Sequence, residues 1–144
     1  YPGAANVELE VVDGPFRVPS RTAADTAVPV DPILLMHGDV PVYGYRLGRF
    51  AYLTDASAIP EASYEQLQGI DTLVLDGLRP RPHPTHFSFD EAVAAARRIG
   101  ARETYLVHMT HDVRHAEAEA ALPDDVHLAH DGLTLEVPAF DPAV

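Results

Sequence analysis

Four short apolar runs in this chain each stop at a side chain able to bind a metal ion or carry a proton. Ile33 to Met36 stops at His37, Phe50 to Thr54 at Asp55, Thr72 to Leu75 at Asp76, and Thr104 to Val107 at His108. Runs of this length, rich in Leu, Val, Ile and Tyr, read as strands. Open α/β sheets keep their sites beyond one end of the strands, where loops converge on a rigid base. Any one such ending, taken alone, reads more readily as a turn residue. Four of them constrain the chain to a sheet whose strand ends meet.

The rest of the pattern fills in that sheet. Val7 to Val12 alternates apolar residues with acids and reads as a strand closed by Asp13-Gly14. Pro19 to Asp25 is polar and weakly patterned, and Ala27 to Val30 and Ile33 to Met36 read as two strands broken around Asp31-Pro32. Val42 to Leu47 and Arg49 to Thr54 flank Gly48 as a hairpin, and Glu61 to Gln68 reads as a short helix stopped by Gly69. Ser88-Phe89-Asp90-Glu91 is a capping box opening an Ala-rich helix that ends at Gly100. Ala116 to Leu122 reads as a helix ended by Pro123, Leu133 to Val137 as a terminal strand, and 138–144 as a tail. The order is β-rich first, then βα, βα, β, without repeats, which is an α/β or α+β arrangement with a mixed sheet.

Composition narrows the chemistry. The 144 residues are one domain's worth of chain. Ten basic residues against 22 acidic ones leave a net charge of −12, which argues against a generic nucleic-acid binder. No apolar run approaches the roughly 20 residues of a membrane helix, so a soluble, cytoplasmic protein without a membrane partner is expected. With no cysteine, any metal must sit on His, Asp or Glu.

Eight histidines include the clusters His83-Pro84-Thr85-His86 and His108-Met109-Thr110-His111. Imidazole binds Zn, Mn and Fe and shuttles protons near neutral pH, so the clusters point to a metal-assisted reaction. His83, His115 and His127 read as solvated loop residues. His111-Asp112-Val113-Arg114-His115 has the spacing of a zincin helix, but Asp112 is one methylene too short to serve as its glutamate. Gly44 and Gly48 form no phosphate loop, and there is no G-x-S-x-G elbow for a nucleophilic serine.

The ordered set His37, Thr54-Asp55, Thr85-His86-Phe87-Ser88 with its capped helix, Leu106-Val107-His108-Met109-Thr110-His111 and His130-Asp131-Gly132-Leu133 resembles the second half of the metallo-β-lactamase-fold hydrolases. Within them it is most similar to the phosphodiesterase branch, especially the phosphoribosyl cyclic phosphate phosphodiesterases, with the tRNA 3′-processing endonucleases more distant. The likeness runs from about Leu34 to Val137. It implies the C-terminal half of an αββα sandwich: a mixed sheet with helices on one face. It also implies two divalent ions, Zn or Mn, in the complete domain. His37 resembles a ligand of the first ion, Asp55 the carboxylate bridging both, and His108 a ligand of the second. His86 resembles the histidine that contacts phosphate and protonates the leaving oxygen, so His86 and Asp55 carry the catalytic expectation. His111 and Asp131 would orient ligand imidazoles or the nearby loop.

The family's H-x-H-x-D-H motif does not occur here, and no His-x-His does either. Each ion would then have about two ligands from this chain, against the three usual for catalytic zinc. The chain is therefore expected to be a partial domain over 1–144, inactive alone, whose uncovered sheet face leads it to self-associate, as a homo-oligomer, or to be marginally soluble. The function implied is metal-dependent hydrolysis of a small cyclic or diester phosphate. The alternatives are another hydrolase of the same fold, acting on an ester, lactone or thioester, and a non-catalytic interaction module.

Overall fold

The structure, a computed structural model, describes residues 9–19 and 27–137. Its elements are β1 Phe16–Pro19, β2 Ala27–His37, β3 Val40–Leu47, β4 Phe50–Leu53, α1 Glu61–Gln66, β5 Thr72–Asp76, α2 Phe89–Ile99, β6 Glu103–Val107, α3 His115–Glu119 and β7 Val126–Leu128. The strands lie side by side in chain order as one mixed sheet. β1 to β4 pair antiparallel, whereas β4 to β7 pair parallel. Each parallel step needs a crossover, and α1, α2 and α3 supply them.

Alternation sorts the side chains onto two faces. Ile33 and Leu35 of β2, Ala51 and Leu53 of β4, Leu73 and Leu75 of β5, and Leu106 of β6 are buried in one core with Phe89, Ala92, Ala95, Ala96 and Ile99 of α2. All three helices contribute to this side, through Tyr64 beside α2 and through Ala118 on α3. Leu34, Tyr43, Tyr45 and Tyr52 project from the other face and remain exposed. β5, the strand with a parallel neighbour on each side, is buried from Leu73 to Asp76. The capping box forms as expected: Ser88 accepts from the backbone N–H of Glu91, whose carboxylate accepts from the N–H of Ser88, and Gly100 closes the helix at φ +78°. Losing the Ser88 hydroxyl costs about 1 kcal/mol on the usual scale of such caps.

Several expected boundaries are corrected. Residues 9–12 form no strand, and Leu9 and Val11 stand exposed; the rest of the run expected at Val7 lies outside the described residues. β1, Phe16–Pro19, lies between the expected Asp13-Gly14 turn and the weakly patterned stretch, where no strand is expected, and pairs with β2. The expected break at Asp31-Pro32 is absent. Residues 27 to 30 of β2 pair with β1 and residues 31 to 37 with β3, so each proline lacks a partner on one side in any case. Leu133 to Val137 is not a strand. β7 takes the edge of β6, burying Val126 and Leu128. His127 therefore sits in a strand between Glu119 and Glu103, 3.2 Å from each, and is no solvated loop residue. α1 and α3 are shorter than expected, and the tail at 138–144 falls outside the described residues. No described helix is long and apolar enough to cross a membrane.

Candidate metal centre

Because β3 runs opposite to both β2 and β4, and β5 and β6 run with β4, the C-terminal ends of β2, β4, β5 and β6 share one edge of the sheet. His37 ends β2, Asp55 follows β4 across a cis Thr54–Asp55 bond, Asp76 ends β5 and His108 follows β6. Backbone bonds fasten these ends together. Met36 N–H donates to Ala58 O at 2.9 Å and Ser57 N–H to Met36 O at 2.8 Å, which ties the His37 and Asp55 segments. His86 arrives on the β5–α2 connection, two residues before the Ser88 cap. Phe87 N–H to Ala56 O at 2.8 Å and Leu78 N–H to Phe87 O at 2.9 Å lock that connection over the strand ends.

The side chains build upward from a buried base. Asp76 is fully buried, and its Oδ2 accepts from the backbone N–H of Ala56 and faces Nδ1 of His86, each at 2.8 Å. A carboxylate there fixes a proton on Nδ1 and leaves Nε2 as the working atom. That Nε2 lies 3.3 Å from Nε2 of His37. The His86 ring stacks on that of His108 with centroids 4.7 Å apart and planes at 28°. His108 Nδ1 in turn lies 3.3 Å from Asp55 Oδ1. Exposure of the side chains rises from 13 % at His86 to 43 % at His108 and 51 % at Asp55, so the cluster opens toward solvent on the Asp55 side. His108 holds φ at +70°, a left-handed conformation that non-glycine residues adopt at a cost and that concentrates at functional sites.

The structure thus brings His37, Asp55, His86 and His108 together. Asp55, His86 and His108 each offer a donor atom, the three within 4.8 Å of one another. His86 enters this group, ahead of His37, because its ring lies between those of His37 and His108. His111 and Asp131 are exposed and make no hydrogen bond with the cluster among the described residues. The orienting contact to an imidazole comes from Asp76 instead. Asp76 was visible in the sequence as the acid ending an apolar run, but nothing local distinguishes a buried strand-end acid from a turn residue. His83 is half-buried with its ring 5.2 Å from that of His86. Burial, then the charge of Arg79 and those of His86 and His37, hold its imidazole below the ordinary range against the pull of Asp76.

These donors fit a divalent ion. Zinc–nitrogen and zinc–oxygen distances of about 2.0–2.2 Å on a tetrahedral ion put two ligand atoms roughly 3.3 Å apart, the separation of His108 Nδ1 and Asp55 Oδ1. A mixed imidazole and carboxylate set suits Zn and Mn alike.

The family described as the β-lactamase superfamily domain matches residues 4–109. An octanoyltransferase of Porphyromonas gingivalis (strain W83) is 36 % identical over 137 residues, covering 92 % of this chain and 26 % of that protein. The crystal structure of a new diphosphatase from the PhnP family shares 48 % identity at a TM-score of 0.75, covering 77 % of this chain and 44 % of that one. Human tRNase Z, short form, shares the fold at 16 % identity and a TM-score of 0.61, over 82 % of this chain and 46 % of that one. The chain therefore spans about a quarter of the octanoyltransferase and less than half of either structure.

Proposed function

The chain belongs to the β-lactamase superfamily, and on that premise we propose that it carries one half of the site of a metal-dependent phosphodiesterase acting on a small phosphate-containing substrate. The observation that carries the reading is the Asp76–His86 contact, which presents His86 Nε2 to the space shared with His37, Asp55 and His108. The 48 % identity with a protein named a diphosphatase supports phosphorus as the centre attacked. The octanoyltransferase name belongs to a protein of which this chain spans 26 %, and it supplies no second reading.

In this reading His37, Asp55 and His108 hold two divalent ions, zinc or manganese, with the remaining ligands supplied from outside the chain. When bound, the ions polarise the phosphoryl oxygens and lower the pKa of a coordinated water. In the hydrolysis an oxygen of water bonds to phosphorus as the bond from phosphorus to the leaving oxygen breaks, its electron pair staying on that oxygen. His86 then gives its Nε2 proton to the leaving oxygen, while Asp76 keeps Nδ1 protonated and stabilises the imidazolium beforehand. The charge of −12 supports a small substrate over nucleic acid, and the setting proposed is cytoplasmic, without a membrane partner.

The test uses the whole protein that carries this chain, with bis(p-nitrophenyl) phosphate as substrate and elemental analysis for bound Zn or Mn. His86→Ala is expected to retain metal and to lose at least about 100-fold in kcat, the usual contribution of a general acid. His108→Ala is expected to lose metal and activity together. Metal loss in His86→Ala with the activity of His108→Ala intact would sink the assignment of roles.

A further inference from the structure

Backbone bonds tie Met36 to Ser57 and Ala58, and the Ser57 side chain extends that tie past His37. Its hydroxyl accepts from the backbone N–H of Gly38 at 2.9 Å and donates to the carbonyl of Met36 at 3.2 Å. One oxygen, on the residue two beyond Asp55, therefore holds the chain on both sides of His37. The position calls for a group that accepts and donates at once, and a hydroxyl does both.

Gly38 lies outside the ladder of its own hairpin. The pairing of β2 with β3 closes at His37 and Val40, and Gly38 follows in the turn at φ +59°. Among the described residues Ser57 Oγ is the side-chain acceptor for its N–H. Gly38 is also packed against the loop that carries His86, because a Cβ there would lie 3.1 Å from Thr85 Cγ2 and 3.7 Å from the Pro84 carbonyl oxygen. The turn after His37 is thus seated on the His86 loop and fastened to the Asp55 segment by one hydroxyl. A second serine supplies the contrast. Ser63 on α1 is buried and donates to the carbonyl of Leu34 at 2.7 Å, so it binds the same strand away from the residues that flank His37.

We propose that Ser57 is a positioning residue of the metal centre, its hydroxyl fixing the His37 backbone against the segment that carries Asp55 so that imidazole and carboxylate are set for an ion. This rests on the reading above in which His37 and Asp55 hold metal, and deepens it. The test uses the whole protein as wild type, Ser57→Ala, Ser57→Thr, Ser63→Ala and His37→Ala. It measures the Kd of zinc by competition with a chromogenic chelator, the melting temperature of the metal-free protein, and turnover of bis(p-nitrophenyl) phosphate. Ser57→Ala is expected to raise the zinc Kd about tenfold or more, the scale of losing an outer partner of a metal ligand. Ser57→Thr keeps the hydroxyl and is expected to restore binding toward that of wild type. Ser63→Ala is expected to lower the melting temperature at least as much as Ser57→Ala while leaving the zinc Kd unchanged, which separates positioning from a general loosening of β2. A zinc Kd unchanged in Ser57→Ala, or raised equally in Ser63→Ala, overturns the assignment. If His37→Ala binds zinc as tightly as wild type, the metal role of His37 falls and the proposal falls with it. If wild type binds zinc through His37 but leaves the ester intact, the phosphodiesterase reading alone falls, and the zinc Kd still decides Ser57.

Discussion

Asp76 grips His86 through one carboxylate oxygen while its other oxygen, equally buried, meets no partner among the described residues. An amide in its place must keep its oxygen toward the two donors, the Ala56 N–H and His86 Nδ1, and turn its NH₂ into the spot where Oδ1 now lies. Asp76→Asn is therefore expected to lower kcat about 10- to 100-fold, the range for losing the support behind a functional histidine. The buried NH₂ adds about 1–3 kcal/mol of destabilisation. Kinetics paired with urea denaturation separates the two, and full activity in the variant would remove Asp76 from the chemistry.

His108 at φ +70° supports a comparison of two truncations. Both His108→Ala and His108→Gly lose the contact with Asp55 at 3.3 Å, but only glycine relieves the left-handed backbone. His108→Gly is expected to be more stable than His108→Ala by about 1 kcal/mol, within the cost of that conformation for an L-residue. Urea midpoints check it, and equal stability would mean that the strain is not retained in solution.

At Gly44 a Cβ would lie 2.7 Å from Leu53 Cδ2, 2.9 Å from Leu35 Cδ1 and 2.9 Å from the backbone oxygen of Tyr52. Leucine ends can turn aside, but the carbonyl of β4 cannot without disturbing its strand. Gly44→Ala is expected to cost about 1–3 kcal/mol, as overpacking does. Thermal unfolding measures it, and a neutral result would show that β3 and β4 slide more freely than their pairing implies.

Arg49 grips Asp71 through two hydrogen bonds, 2.5 and 2.6 Å long. The hydrogen bond from Arg49 holds the Asp71 carboxyl below its ordinary range, outweighing the effect of burial. A depressed carboxylate contributes stability above its unfolded pKa and loses it as pH falls through the folded value. The wild type is thus expected to lose part of its melting temperature in acid below the ordinary carboxylate range, and Asp71→Asn to show a shallower acid limb. Arg49 is largely exposed and Asp71 partly so, so the difference is small. Parallel acid limbs in the two proteins would dismiss the pair as a contributor.

The parts of this architecture written locally were legible before any coordinates. Ser88 and Glu91 cap each other within one turn, and Gly48 sits at φ +59° in the two-residue turn, Gly48-Arg49, that joins β3 to β4. The strand-end positions of His37, Asp55 and His108 were legible for the same reason. What escaped the sequence depends on neighbours far along the chain. β7 is three residues long and exists because β6 offers an edge. β2 runs through Pro29 and Pro32 because each half is paired on one side alone. The role of Asp76 rests on the loop that carries His86 back over it, ten residues later.

The outer face of the sheet has an optical consequence. The chain has no tryptophan and six tyrosines, and Tyr43, Tyr45 and Tyr52 stand exposed together on that face. Their near-ultraviolet absorbance and emission are therefore an intrinsic, label-free gauge of whatever covers the sheet. A partner that seats there shifts the signal of about half the chain's fluorophores, whereas a ligand confined to the histidine cluster leaves those three rings in water.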